Sequence, residues 1–405
     1  MGSWPRNTGV ALGLMVLLQL GVGFYLNSGY GATPAEAITA MQANRAGGLS
    51  AFLQGFHYWG SAWLIVHSFA HLLGLLISGT YLKMPKIAWI GAVALFGSAF
   101  GMQVTGNLLP FDQHDVQTTV IEGGIASRVP VGGEFAARTM LAGETFSPAT
   151  LAAWHQFHLY LLAPLVLGAL GAAFATPKGE ARSAGKPWVL PAVMVAATAG
   201  LAAGLGAPTG APGTDADFAA FDARPSWYTW PMHGALNGFE SLSPGLGWLG
   251  TAVLPGLFGA LLLLAPWIGK KRDGLARGSV LALTVSFLGL GVAFGGSPAP
   301  AWGEQDVSAA LTSDTGDMEP IDEAAARAGE AVTKKGCVGC HGADLKGGQG
   351  APNLMTVYQR HRDADWYIRF LKDPKSVKPG STMPAMTHLT EEELVQLAEF
   401  LRKPK

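Results

Sequence analysis

Charge is scarce in this 405-residue chain: Lys, Arg, Asp and Glu make up 14% of it, against about 25% in an ordinary soluble domain. With 49% hydrophobic residues and 55 glycines, a single soluble globule is excluded. An excess of basic residues is absent too. The net charge is −1 and no basic stripe runs through the sequence, which excludes a nucleic-acid binder. Cysteine is almost missing: only Cys337 and Cys340 occur, within one short motif, so a disulfide framework is excluded. The few charges are unevenly spread. Residues 1–303 hold 26 of them, about 9%, and residues 304–405 hold 29, about 28%. A membrane part is followed by a soluble part.

Long apolar runs are what the first part offers. Segments at 8–27, 46–82, 87–111, 145–177, 187–208, 241–268 and 279–300 each supply the roughly 20 apolar residues that cross a bilayer as helix. The expected fold is all-α: a seven-helix transmembrane bundle plus a small soluble helical domain. The first span has an alternative reading as a signal peptide, because Arg6 precedes it; its length and the lack of an A-x-A site favour a retained helix. Arg6, Lys83, Lys86, Lys178, Arg182, Lys186 and the basic run Lys270–Arg277 fall on one side of the spans, and most of the Asp and Glu on the other. The positive-inside rule then makes the N-terminus cytoplasmic and places the C-terminal domain outside, in a bacterial periplasm.

That C-terminal domain carries the most specific signal. Cys337-Val338-Gly339-Cys340-His341 is the C-x-x-C-H pattern of covalent haem c attachment. The thiols form thioethers to the haem, and His341 is placed to ligate the iron. A thioether of the kind that raises haem potential follows downstream, with Met383 as first choice and Met386 as the alternative. The domain resembles class I monohaem cytochromes c, with helices expected at about 322–335, around 365–371 and near 390–402. Residues 301–320, rich in Ala, Gly, Ser, Asp and Thr, read as a linker.

Within the membrane part the histidines are informative, since an ionisable group inside a span is a functional hypothesis. The second span holds His57, His67 and His71, and the fourth holds His155 and His158. His57 and His71 are 14 residues apart, so they share a helix face about 21 Å apart along the axis. That spacing suits two stacked haems. His57 and His158 both lie about two turns inside the outer face, which gives one bis-His haem b.

At this point residues 8–300 resemble cytochrome b of the quinol:cytochrome c (bc-type) complexes. Gln19-Leu-Gly-Val-Gly-Phe-Tyr-Leu is similar to the family's first helix. His57-Tyr58-Trp59-Gly60-Ser61-Ala62 matches H-x-x-G-x-S/A, and His71 follows at the family spacing. Leu108-Leu109-Pro110-Phe111-Asp112-Gln113 stands in place of L-P-W-G-Q. Thr150-Leu151 keeps the family's spacing to His158, which favours His158 over His155. Pro225-Ser226-Trp227-Tyr228 stands in place of P-E-W-Y, the outer quinol site. The resemblance implies a haem-binding part at 1–177, a three-helix part at 178–300, the linker 301–320 and the cytochrome c domain at 321–405. It also implies quinol as substrate, at least one haem b and one haem c. Expected partners are membrane lipid, a Rieske iron–sulfur protein, other subunits of a dimeric complex and a cytochrome c-type acceptor, with no nucleic acid.

Two departures stand out. The family's second histidine of the fourth span is replaced by Ala172 and Ala173, so an inner haem is either absent, five-coordinate on His71, or completed by another subunit. Ser226 replaces the family's Glu, and Ser is no base of suitable pKa; His233 and Glu240 are the candidate substitutes, since His titrates in the right range. The expected function is thus the membrane subunit of a quinol:cytochrome c oxidoreductase. The alternative is a non-bifurcating b/c anchor that connects the quinone pool to a periplasmic oxidoreductase.

Overall fold

A computed structural model describes residues 3–143, 145–174, 188–208, 210, 212–213, 225–296, 321–345, 354–355, 357, 364–377 and 383–403. The chain divides into two compact units. One comprises Met1–Glu144, Ala149–Ala216 and Phe221–Gly303, the other Thr145–Pro148, Asp217–Ala220 and Glu304–Lys405. Among the described residues there is no strand; a lone antiparallel bridge joins Asp112 to Pro212.

In the first unit the apolar runs become helices α1 (Ser3–Asn27), α3 (Gly48–Ile77) and α4 (Lys86–Asn107). The fourth run becomes α7 (Pro148–Gln156), a π turn (Phe157–Leu162) and α8 (Ala163–Ala173). The fifth is the short α9 (Val189–Leu205). The last two join as a π turn (Leu249–Val253) and α11 (Leu254–Phe294), broken only at Arg272, whose φ of −144° and ψ of 68° are not helical. Five of these stretches are long and apolar enough to span a bilayer, and the protein is a multi-pass membrane protein. Among the described residues α9 is a shorter apolar helix, and the sixth and seventh expected segments form one stretch, Leu249–Phe294, broken at Arg272.

Four further helices lie between the runs: α2 (Pro34–Ala46), α5 (Gln113–Ser127), α6 (Gly133–Leu141) and α10 (Trp230–Leu242). Their starts are set by local chemistry. Thr33 caps α2, with Pro34 at its first turn, where a missing N–H costs nothing. Asp112 caps α5 by accepting from Asp115 N at 3.0 Å, the ordinary role of Asp at this position.

The core of this unit is built from α1, α3, α4, α8 and α9, around Leu12, Met15, Leu95 and Val166. A second cluster joins α3 and α4 to α11 around Leu76, Tyr81, Trp89 and Val280. Trp89 is fully buried and donates its indole N–H to Leu262 O at 2.9 Å, so its polar end is satisfied.

The second unit contains α12 (Glu323–Gly336), α13 (Val338–His341), α14 (Ala364–Lys372), α15 (Pro374–Val377) and α16 (Glu391–Arg402). α12, α14 and α16 fall on the three helices expected at about 322–335, 365–371 and 390–402; α13 and α15 are additional short turns. Asp322 caps α12, and Thr390 with Glu393 forms a capping box on α16, which satisfies two otherwise orphaned N–H donors. α12 and α16 cross in backbone contact, because a methyl added at Gly329 would stand 2.0 Å from Gln396 O. The expected linker 301–320 lies outside the described residues.

Candidate functional site: two histidines and a quinol-type motif on one cavity

In the first unit a cavity of about 580 Å³ opens among α1, α3, α4, α5 and the α7 π turn, within the size range of cofactor and ligand pockets. His57 and His158 both line it. His158 sits inside the π turn Phe157–Leu162, a local widening of the helix that is frequent at functional sites. Its Nδ1 is hydrogen-bonded to Thr105 Oγ1 at 3.0 Å, leaving Nε2 for another partner. His57 Nδ1 is buried without a hydrogen-bond partner. Each ring lies over a glycine. A methyl at Gly23 would stand 3.2 Å from His57 Cε1, and one at Gly106 would stand 3.0 Å from His158 Cε1. His155 also lines the cavity, but its Nε2 is tied to Asn27 Oδ1 at 2.8 Å and its ring packs on Tyr30. Two imidazoles facing one largely apolar cavity fit a haem b with His57 and His158 as its axial pair.

The level of His71 differs. His71 Nδ1 is hydrogen-bonded to Thr8 Oγ1 at 2.7 Å, and His67 Nε2 pairs with Thr8 O at 3.0 Å. The cavity lining reaches Leu12 and Ser68 and does not include His71. On the opposite side α4 and α8 touch through their backbones. A methyl at Gly91 would fall 2.4 Å from Ala173 N and 2.7 Å from Ala172 C. The residues at this level do not fit a second haem.

At its other end the cavity is lined by Ser226 and Trp227. Pro225 is buried and accepts from Trp230 Nε1 at 3.0 Å, and Thr229 N donates to Ser226 O at 2.8 Å, so the turn is locked from within. Tyr228 is buried, and its hydroxyl accepts a hydrogen bond from Asn107 Nδ2 of α4. Burial pushes this phenol up. His233 is buried on α10 with Nδ1 near Thr229 O at 3.3 Å and is not among the lining residues. Glu240 binds the N–H groups of Gly245 and Gly247, both at 2.9 Å; it holds a loop.

Sequence reasoning passed over the residues that complete this end. Asp112, His114 and Asp115 line the cavity, brought there by Phe111, whose φ of 53° turns the chain after Pro110. A buried non-glycine residue in that region is uncommon. Asp112 Oδ2 also accepts from Gly210 N at 3.1 Å. His114 Nδ1 lies 3.5 Å from Asp115 Oδ1. Burial pushes the Asp115 carboxyl up to about 7, and Glu122 likewise to about 7. Only the sequence D-Q-H-D after Leu-Pro-Phe hinted at this cluster.

In the second unit Cys337, Cys340 and His341 share one helical turn, with His341 N donating to Cys337 O at 2.9 Å. Both thiols are free; Cys337 is buried and Cys340 exposed, and burial pushes the Cys337 thiol up. Met386 is buried with its sulfur beside Gly336, while Met383 is half-buried and packs against the same core. Two free thiols and a buried histidine on one turn fit a covalently held haem c.

Residues 62–196 match the family described as Cytochrome b(N-terminal)/b6/petB, and residues 324–401 match Cytochrome C oxidase, cbb3-type, subunit III. The first match includes His71 and His158 and begins after His57. The menaquinol:cytochrome c reductase cytochrome b subunit of Geobacillus thermodenitrificans is 36% identical over 124 residues, covering 30% of this chain and 55% of that protein. Cytochrome b6 of Synechococcus elongatus is 27% identical over 148 residues, covering 36% and 68%. The chain thus spans about half the length of the first of these relatives. A solved chain of a hyperthermophilic respiratory Complex III superposes with a TM-score of 0.51 at 17% identity, over 72% of this chain and 87% of that chain; this is a likeness of fold.

Proposed function

We propose that this chain, a cytochrome b N-terminal part joined to a cytochrome c domain, is the membrane subunit of a quinol:cytochrome c oxidoreductase. The observation that carries the reading is a shared cavity: His57 and His158 line the same space as Ser226 and Trp227. Quinol bound at the Ser226–Trp227 end stands next to the place where a haem b is held. When bound, haem b and haem c supply one-electron acceptance and release.

The chain's own residues do the rest. His57 and His158 would hold a haem b, with Thr105 fixing the ring of His158, the usual role of a second hydrogen bond on a ligating histidine. Asn107 orients the Tyr228 hydroxyl. Cys337 and Cys340 would anchor haem c covalently, and His341 with Met383, or Met386 as the alternative, would hold its iron. No cysteine remains to hold an iron–sulfur cluster, so a Rieske-type partner supplies the other electron acceptor. The orientation read from the loop charges puts the cytochrome c domain on the periplasmic side of a bacterial inner membrane, in contact with a cytochrome c-type acceptor.

The backbone contact of Gly91 with Ala172–Ala173 supports one haem b in this chain and gives weight to the second reading, a b/c conduit without bifurcation. The test is direct. Purified full-length protein is mixed with a short-chain naphthoquinol, and haem b reduction is followed optically with and without an added Rieske protein. Reduction of haem b that needs the Rieske partner supports the first reading. Reduction without it supports the conduit, and no reduction overturns both.

A further inference from the structure

The outer cavity contains an acid–base pair that the Pro225–Tyr228 motif does not account for. Ser226 has no proton-accepting carboxylate, His233 is off the cavity and Glu240 is committed to a loop. Asp115 lines the cavity with its side chain 13% exposed, and His114 beside it is 35% exposed. A proton on Asp115 therefore has an outward neighbour 3.5 Å away. A second observation points to a bound hydroxyl donor. Gln103, 4% exposed, lines the same cavity with its Oε1 unpartnered, while its Nε2 is held by Asn107 Oδ1 at 3.1 Å. A buried acceptor without a donor costs about 1–3 kcal/mol unless a ligand supplies one, and a quinol hydroxyl does.

We propose that Asp115, paired with His114, is the catalytic base that takes the protons of quinol in this cavity. The inference rests on the quinol-oxidation reading above. The balance is simple. Each quinol O–H bond breaks with its proton passing to the Asp115 carboxylate, where a new O–H bond forms. Asp115 hands that proton to His114 and on to solvent before taking the second. The two electrons leave separately, one to the haem b iron of this chain and one to the iron–sulfur partner. The groups that face Asp115 are Asp112 and His114 on its own segment and Tyr58 on α3; Glu122 lies beyond, near His114 and Tyr228. Burial, then Asp112, raise the Asp115 carboxyl and His114 lowers it, leaving it at about 7. A base is most effective with a pKa near the working pH.

The test uses membranes containing the full-length chain with its complex partners and a short-chain naphthoquinol as donor, with haem b reduction followed from pH 5.5 to 9. The wild-type rate is expected to rise with pH and level off above about 7. Asp115→Asn is expected to slow it on the order of 100-fold and flatten the profile, with the dithionite-reduced haem b spectrum intact. Asp115→Glu is expected to restore most of the rate. Equal rates and profiles in wild type and Asp115→Asn overturn the assignment. Should Asp115→Asn lose haem b, His114→Gln decides: it removes the group that lowers Asp115, so the midpoint moves to higher pH, and an unmoved midpoint overturns the proposal. A wild type that quinol fails to reduce at any pH overturns the quinol reading itself, which is a distinguishable result.

Discussion

Among single residues, the histidines separate cleanly. Replacing His57 or His158 with Ala is expected to remove the low-spin haem b band, whereas His155→Ala keeps it, because the His155 ring is held by Asn27 and Tyr30. Spectra of purified variants decide the matter, and loss of the band in His155→Ala would reverse the ligand assignment. For haem c, Cys337→Ala with Cys340→Ala abolishes covalent haem staining while the b spectrum persists. Met383→Leu lowers the haem c potential more than Met386→Leu; the opposite order in redox titrations moves the ligand to Met386. These residues could be proposed from the sequence because iron ligation accepts few side chains and fixes their spacing. Asp115 could not. A carboxylate in a loop reads as surface charge until the fold shows that Phe111 turns it into a cavity, and burial rather than residue type sets its proton affinity.

The long spans followed from hydropathy alone, and the shorter helices α2, α5, α6 and α10 did not, since their faces are short and mixed. The sixth span was expected from 241, yet Glu240 and Gly245, with its φ of 88°, hold a turn there and the helical path resumes at Leu249. Between the last two spans the basic run read as a loop. Instead Asp273 pairs with Arg277 one turn on and accepts from the Tyr81 hydroxyl at 2.6 Å, so helix continues on both sides of Arg272. Two predictions belong to these elements. In the second unit, Glu399 and Arg402 form a buried pair at 2.8 Å, and Glu399 also accepts from Asp322 N at 3.0 Å. Glu399→Ala removes the carboxylate that pairs with the buried Arg402 guanidinium and accepts from Asp322 N, and is expected to destabilise the domain by about 3 kcal/mol, read by denaturant unfolding of the haem c domain signal in the intact protein. In α5, Asp115 and Glu122 both have raised carboxyl values near 7. The folded state therefore binds more protons than the unfolded one between the ordinary carboxylate range and about 7, so stability falls as pH rises through that window. Glu122→Gln should flatten this fall; thermal loss of the haem b band at pH 5 and pH 8 measures it.

For the whole molecule, the reading predicts one low-spin haem b per haem c and an external C-terminus. Pyridine haemochrome analysis of the intact protein should give equal amounts of the two haems, and two haems b per haem c would mean that α4 and α8 part at Gly91. A periplasm-dependent reporter fused after Lys405 should be active, and a cytoplasm-dependent one silent. The contact at Gly91 bears on energy conservation as well. Moving one elementary charge through the full bilayer field is worth about 2.3 kcal/mol per 100 mV. On the proposed reading a single haem b, held by His57 and His158, occupies one level of that field, and the close approach of Gly91 to Ala172–Ala173 argues against a second stop. Electron entry from quinol into this chain then performs little electrical work. Its rate in sealed vesicles should stay nearly constant when a potassium–valinomycin gradient sets the voltage, where a chain with two haem levels would slow against an opposing potential.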